Sequence, residues 1–234
     1  KELSLHIDTG RFLPTWGVVK RALHISLPMG LQQTIMCSAY VMTTIIIAPL
    51  GTFAIAANSF GIIIESLCYM PGYGIADAAT TLVGQSMGAG RHELMKRFAW
   101  LSVGLGVMVM AVMGVVMYVG APTAMAMMTP AEEVRRLGVE VLRIEAFAEP
   151  MFAAAIVSYG VFVGAAKTLV PSIMNLISIW GVRISLAAML APSMGLRGVW
   201  IAMCIELCFR GFIFLVKLKF WNIQNSCKHY GKDQ

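Results

Sequence analysis

Apolar residues run along this chain in six long stretches, each ended by a short cluster of Gly, Pro or charge. They extend from about Arg21 to Pro49, Phe53 to Ser86, Leu94 to Val119, Ala131 to Gly164, Thr168 to Leu190 and Leu196 to Phe220. A bilayer core needs about 20 apolar residues per helix, and every stretch reaches that length. The breaks read APLGT near Pro49, GAGRHE near Arg91, TPAEE near Pro130, GAAKT near Lys167 and APSMG near Pro192, which are turn compositions. Pro28, Pro71 and Pro150 fall inside expected helices, where a missing backbone donor favours a kink. The second and fourth stretches are long enough to tilt or protrude. The pattern predicts an all-α, polytopic membrane protein: an approach segment over 1–20, a lobe of six transmembrane helices over 21–220, and a tail over 221–234.

Composition agrees. Of 234 residues 13% are charged and 58% hydrophobic, against about 25% charged in soluble domains. Disorder is excluded, because it needs low hydrophobicity and high charge. A nucleic-acid partner is not expected despite the net charge of +6, because such proteins concentrate Lys and Arg on the face of a water-exposed domain and this chain is mostly apolar. If the chain start is cytoplasmic, twelve of the 18 Lys and Arg residues fall on that side, and Arg135, Arg136 and Arg197 on the other. This positive-inside bias places both ends of the segment on the cytoplasmic side of a plasma (inner) membrane. The first twenty residues, with Phe12 and Trp16 four apart, read as a surface-lying amphipathic stretch or a plain linker. The chain opens on Lys1 with no signal-peptide pattern and reads as part of something longer. The five cysteines lack a C-x2-C pair, so neither zinc nor a disulfide framework is expected. Small residues (Ser102, Gly104 and Gly106, and the run from Ala153 to Ala155) mark close helix approach in a packed bundle.

The informative charges are the deep ones. An ionisable group in a bilayer costs at least about 2.5–3.5 kcal/mol and is kept when paired, hydrated or used. Glu65 lies twelve residues into its stretch, about 18 Å deep at 1.5 Å per residue. Glu145 and Glu149 are central in theirs, four apart and therefore on one helical face, with Pro150 directly after. Two like carboxylates at this spacing repel, so one is expected to hold a proton, or the pair to hold Na⁺. Carbonyls freed by Pro150 would add ligands. Arg183 needs a carboxylate partner that spacing does not name. Glu206 and Arg210, four apart in the favourable order, read as a structural pair. Asp77, near a helix end, reads as solvated. Gln32, Gln33, Tyr40 and Asn58 are polar groups available for substrate contact or for hydrogen bonds between helices. The four His residues lie outside or at the ends of spans, and no H-E-x-x-H or deep Ser–His pair is present, so no enzyme is expected.

Several runs resemble one family, the multidrug and toxic compound extrusion (MATE) transporters. MPGYGIADAATTLVGQSMGAGRHELMKR, from Met70 to Arg97, is similar to that family's helix-eight to helix-nine connection, with Gly84 and Gln85 in its L-V-G-Q element. LHISLPMGLQQ, from Leu23 to Gln33, resembles the start of helix seven. VLRIEAFAEPMF, from Val141 to Phe152, resembles helix ten. ISIWGVRISLAAMLAPSMGLRGVWIAM, from Ile177 to Met203, resembles helices eleven and twelve, with Arg183 in its W-x-x-R element. The resemblance implies that the chain is the C-terminal six-helix lobe of a twelve-helix antiporter. Such a protein rocks against an N-terminal six-helix lobe and exports small organic, often cationic, drugs in exchange for H⁺ or Na⁺, with no cofactor beyond that ion. It implies coupling roles for Glu65, Glu145 and Glu149. Two departures stand out: Gln32 and Gln33 replace an acidic residue that some members carry on helix seven, and Lys167 reverses the charge at a turn. A flippase for lipid-linked sugars, from the wider superfamily, needs a more basic cavity. A non-transporting assembly subunit is the remaining alternative.

Overall fold

The computed structural model describes residues 16–220, and every regular element among them is helical. Five helices are long and apolar enough to cross a membrane, and a sixth span is a bent pair. The order is α1 (Trp16–Ile47), a 3-10 turn (Ala48–Leu50), α2 (Thr52–Gly88), α3 (His92–Met128), α4 (Glu132–Glu145) and α5 (Glu149–Gly164). Then follow α6 (Leu169–Ile177), a π-helical stretch (Ser178–Ile184), α7 (Ser185–Met194) and α8 (Leu196–Lys219). The six stretches expected from hydropathy all appear, in order. The expected roles of Phe12 and of the tail after Phe220 lie outside the described residues.

The chain divides after Ser38 into two units. The described residues of the first are the leading part of α1, where Thr34 and Ser38 hydroxyls return hydrogen bonds to the carbonyls of Gly30 and Thr34. The second unit holds the rest. At its centre is α5, buried nearly all round from Phe152 to Phe162. A helix apolar on every side needs neighbours on every side, and α5 packs on α2, α3 and α8. Glycines set those distances. A Cβ on Gly160 would stand 2.6 Å from the Ala76 carbonyl oxygen of α2, and one on Gly106 of α3 would stand 2.7 Å from Val157 of α5. Gly211 of α8 passes just as close to the Met151 carbonyl. The Thr80 hydroxyl bridges the same seam, 2.9 Å from both the Ala76 and Gly160 carbonyls. Of the small residues expected to line interfaces, Ser102, Gly106 and Ala153 to Ala155 are buried, whereas Gly104 is exposed with nothing near it.

Three features depart from the hydropathy reading. α3 continues past Val119 through Pro122 to Met128, as its Ala- and Met-rich end favours. With 37 residues each, α2 and α3 are about 55 Å long and outreach a hydrocarbon core of about 30 Å. The fourth span is broken: α4 and α5 meet at 58° across Ala146 to Ala148. Pro150 therefore sits in the first turn of α5, where its missing N–H is no loss, and the bend precedes it. The fifth span carries a turn of π-helix around Gly181, a form found mostly as single-turn bulges at functional sites.

Two turns use one capping device. After α2, Gly90 has φ +69°, with Gly90 N–H donating to the Met87 carbonyl and Arg91 N–H to that of Ser86. After α5, Ala166 N–H donates to the Val163 carbonyl and Lys167 N–H to that of Phe162. This is a Schellman cap, with Ala166 at φ +55° where glycine is the unstrained choice. Ala166→Gly should relieve about 1 kcal/mol of left-handed strain and raise the thermal midpoint of the detergent-purified full-length protein. Gly160→Leu should lower that midpoint, since overpacking a tight seam costs about 1–3 kcal/mol, whereas Gly104→Leu should leave it in place.

Candidate functional site

The acidic residues meet around the broken span. Glu65, one turn before Tyr69 on α2, is buried. Glu145 is the last residue of α4 and Glu149 the first of α5, each 1% exposed. The single helical face expected for these two is replaced by two helix ends meeting at a bend. Here the Ala148 N–H donates to the Glu145 carbonyl at 2.7 Å, and Pro150 has no N–H to offer the Ala146 carbonyl. Ala146 itself is held where Gly114 of α3 allows it: a Cβ there would lie 2.7 Å from the Ala146 oxygen.

The bend gives the two carboxylates opposite electrostatic settings. Glu149 lies at the N-terminal, positive end of α5, which suits an anion. Glu145 lies at the C-terminal, negative end of α4, where a cation is favoured. Glu145 Oε2 and both carboxylate oxygens of Glu149 are buried and accept no hydrogen bond among the described residues. Unmet buried carboxylates are among the costliest groups a fold can hold. Glu65 is within electrostatic reach of both, and Arg183, from the π-helical stretch, is within reach of Glu65 and Glu145. Arg183 also directs Nη2 at Met203 Sδ of α8. Arg183 therefore feels the charge of this acidic group, with no carboxylate within 4 Å of it among the described residues.

Glu206 is within electrostatic reach of Glu145, but it has polar partners of its own. Its Oε1 accepts a 2.6 Å hydrogen bond from Ser178 and lies 3.1 Å from Arg210 Nε. The angle at that Nε is not a hydrogen bond's, so the contact is Coulombic. The Arg210 guanidinium also stacks 5.5 Å over Phe152. This is the structural pair expected from spacing, with Ser178 as a member that spacing did not show.

The remaining candidates separate. Asn58 Oδ1 accepts from Trp200 Nε1 at 3.1 Å in a buried α2–α8 contact, so that atom joins helices. Tyr40 is exposed and within electrostatic reach of Tyr69 and Tyr73. Tyr73, Tyr69 and Phe152 form an edge-to-face row with centroids 5.4 and 5.7 Å apart. Those three were not anticipated; their signal is that Tyr69 and Tyr73 follow Glu65 at four-residue steps on one face of α2. Gln33 is exposed and its amide points at Cys37 Sγ, 3.8 Å away. Gln32 and Pro28 lie in α1, and their side chains are outside the described residues. Pro71 lies within α2 without ending it. Gly84 admits the Gly164 carbonyl, and the Gln85 carbonyl caps α2 through Ala89 N–H. Both are structural positions far along α2 from Glu65. Lys167 contributes its N–H to the cap after α5.

The MatE family profile matches residues 28–189. The chain is 29% identical over 208 residues to a probable multidrug resistance protein NorM of Xylella fastidiosa, covering 88% of this chain and 44% of that protein. It is 26% identical over 221 residues to a probable multidrug resistance protein NorM of Thermotoga maritima, covering 92% and 47%. The chain thus spans about half the length of the curated relatives it matches. Its fold matches a crystal structure of MATE in the straight conformation, with a TM-score of 0.82 at 19% identity, over 92% of this chain and 49% of that one. It also matches the Vibrio cholerae MATE transporter VcmN in its bent form, with a TM-score of 0.80 at 17% identity, over 89% and 48%. With that profile matched across most of its length, and the same fold carrying its buried acids, the chain belongs to the MatE family.

Proposed function

We propose that this segment is one six-span lobe of a secondary antiporter that exports organic, often cationic, compounds in exchange for H⁺ or Na⁺. The observation that carries the reading is the set of buried carboxylate oxygens, on Glu145 and Glu149, with no hydrogen-bond partner among the described residues and at a break in a span. Such a site is met by a proton or a hard cation, and broken helices with free ends are how transporters hold ions at depth. Glu145, at the negative end of α4, takes the ion; Glu149 and Glu65 supply further negative charge. Arg183 competes with the ion for Glu65 and Glu145 and balances the site when the ion leaves. The faces of Tyr69 and Tyr73, with Tyr40 nearby, suit an organic cation. The same acids would draw that cation toward the ion, so the two exclude each other, and that exclusion is the coupling. An N-terminal lobe of the same protein completes the cavity, and both ends of the segment lie on the cytoplasmic side of the plasma membrane.

The sugar-flippase reading is less favoured. Of the three arginines within spans, Arg210 is paired with Glu206, Arg183 is within electrostatic reach of the acids, and Arg143 is exposed one turn from the Glu140–Arg197 pair, so none stands free for a phosphate in the lobe interior.

Full-length protein in proteoliposomes tests the proposal. Glu145→Gln and Glu149→Gln should each lower ion-driven efflux of an organic cation dye at least about tenfold, a loss of roughly 1.4 kcal/mol of coupling, with normal amounts of folded protein. Running the assay with a pH gradient and then a Na⁺ gradient identifies the ion. Full efflux in Glu65→Gln, Glu145→Gln and Glu149→Gln alike would overturn the assignment. Glu206→Gln should act differently, lowering the yield of folded protein, because stranding a buried partner such as Arg210 costs about 3–5 kcal/mol.

A further inference from the structure

Outside the acidic group lies an arginine with no acid. Arg143 is exposed on α4 and, among the described residues, has no carboxylate within 4 Å. Its guanidinium stacks on the ring of Tyr118 of α3, 5.1 Å from the centroid, and Phe147 holds that ring edge-to-face at 5.8 Å. Stacking occupies one face of the guanidinium and leaves its edge donors free for a planar, bidentate acceptor.

The depth of Arg143 follows from its neighbours. Arg197, the second residue of α8, donates from Nε and Nη2 to Glu140 at 2.6 and 2.5 Å, and both side chains remain partly exposed. That pair marks where the lobe meets water. Arg143 is one turn further along α4, about 4.5 Å deeper, the level at which Tyr and Arg sit at a membrane interface. Below it a groove of about 330 Å³ opens outward, floored by Ile144, Ile201, Cys204 and Ile205. Ile201 and Ile205 are one and two turns past Arg197, so the groove reaches about 12 Å below Arg197 and about 7 Å below Arg143. Beside it α3 exposes Met108, Val112, Val115 and Val119, an aliphatic stripe of the kind that faces acyl chains.

We propose that this groove binds one phospholipid, its phosphate on the free edge of Arg143 and the upper part of an acyl chain along Ile201 and Ile205. Charge complementarity selects the occupant. A cation beside an apolar groove at headgroup depth matches an anion joined to a chain, and an organic-cation substrate would be repelled. The leaflet is the one on the side of the Gly195 turn.

Native mass spectrometry of the full-length protein, titrated with phosphatidylglycerol and separately with diacylglycerol of the same chains, tests this. One phosphatidylglycerol should bind more tightly than diacylglycerol. Arg143→Gln should weaken it about tenfold, the equivalent of about 1.4 kcal/mol, and Arg143→Lys less, since a point charge lacks the fork. Ile205→Trp, which fills the groove, should weaken both lipids. Inorganic phosphate at millimolar concentration should not compete. Equal binding of the two lipids, unchanged phosphatidylglycerol binding in Arg143→Gln and Ile205→Trp, or no lipid at all because the rest of the protein covers this face, would each overturn the proposal.

Discussion

A carboxylate carried into hydrocarbon has to be met by something, and the fourth span is arranged around that requirement. A continuous helix would place Glu145 and Glu149 on one face and satisfy every backbone group from within. The break from Ala146 to Ala148 gives up part of that satisfaction and gains two helix ends of opposite polarity beside two carboxylates. Pro150 fixes where α5 starts, because a proline without a donor is tolerated there and almost nowhere else in a helix. Gly114 lets α3 come close enough to support the bent backbone. The unmet buried carboxylates and the backbone irregularity are therefore one feature.

The surroundings keep the bend from collapsing. α5 is apolar all round, and in lipid such a helix gains nothing from hiding its surface; what holds it is dispersion at close range and a few interhelical hydrogen bonds. Gly106, Gly160 and Gly211 supply the range. Thr80 to Gly160, Trp200 to Asn58 and Ser178 to Glu206 supply the bonds. The last of these matters for mechanism. It ties the π-helical stretch to α8 at one end, while Arg183, at the other end of the same stretch, reaches the acids. A π turn contains one more residue than an α turn, so this stretch departs from the side-chain spacing of the helices on either side of it.

Much of the fold was legible from hydropathy, because the bilayer imposes a length that six apolar stretches reveal directly. What hydropathy misses is the backbone. The four-residue spacing of Glu145 and Glu149 implied a shared face only on the assumption of an unbroken helix, and Pro150 pointed to the neighbourhood of the bend but not to its position. Nothing in ISIWGVRI announces a π turn, since apart from Arg183 its composition is that of the helices on either side. For the site, depth singled out the three acids correctly as buried groups, and spacing found the Glu206–Arg210 pair. Spacing could not place Arg183 in the field of Glu65 and Glu145, nor show that Asn58 is engaged by Trp200, because those relations join elements far apart in sequence. Gly104 and Gly106 make the same point on a small scale: two residues apart, one is in a seam and the other is not.

The central claim is that the acids around the bend hold an ion that the transported compound displaces. The most direct measurement is ion release on substrate binding, made with detergent-purified full-length protein in weakly buffered solution. A pH-indicator dye and a Na⁺-selective electrode would be read as an organic cation is added. The account predicts release of H⁺ or Na⁺ in step with binding, abolished in the Glu145→Gln, Glu149→Gln double variant. Saturable binding of the organic cation with neither ion released would contradict it.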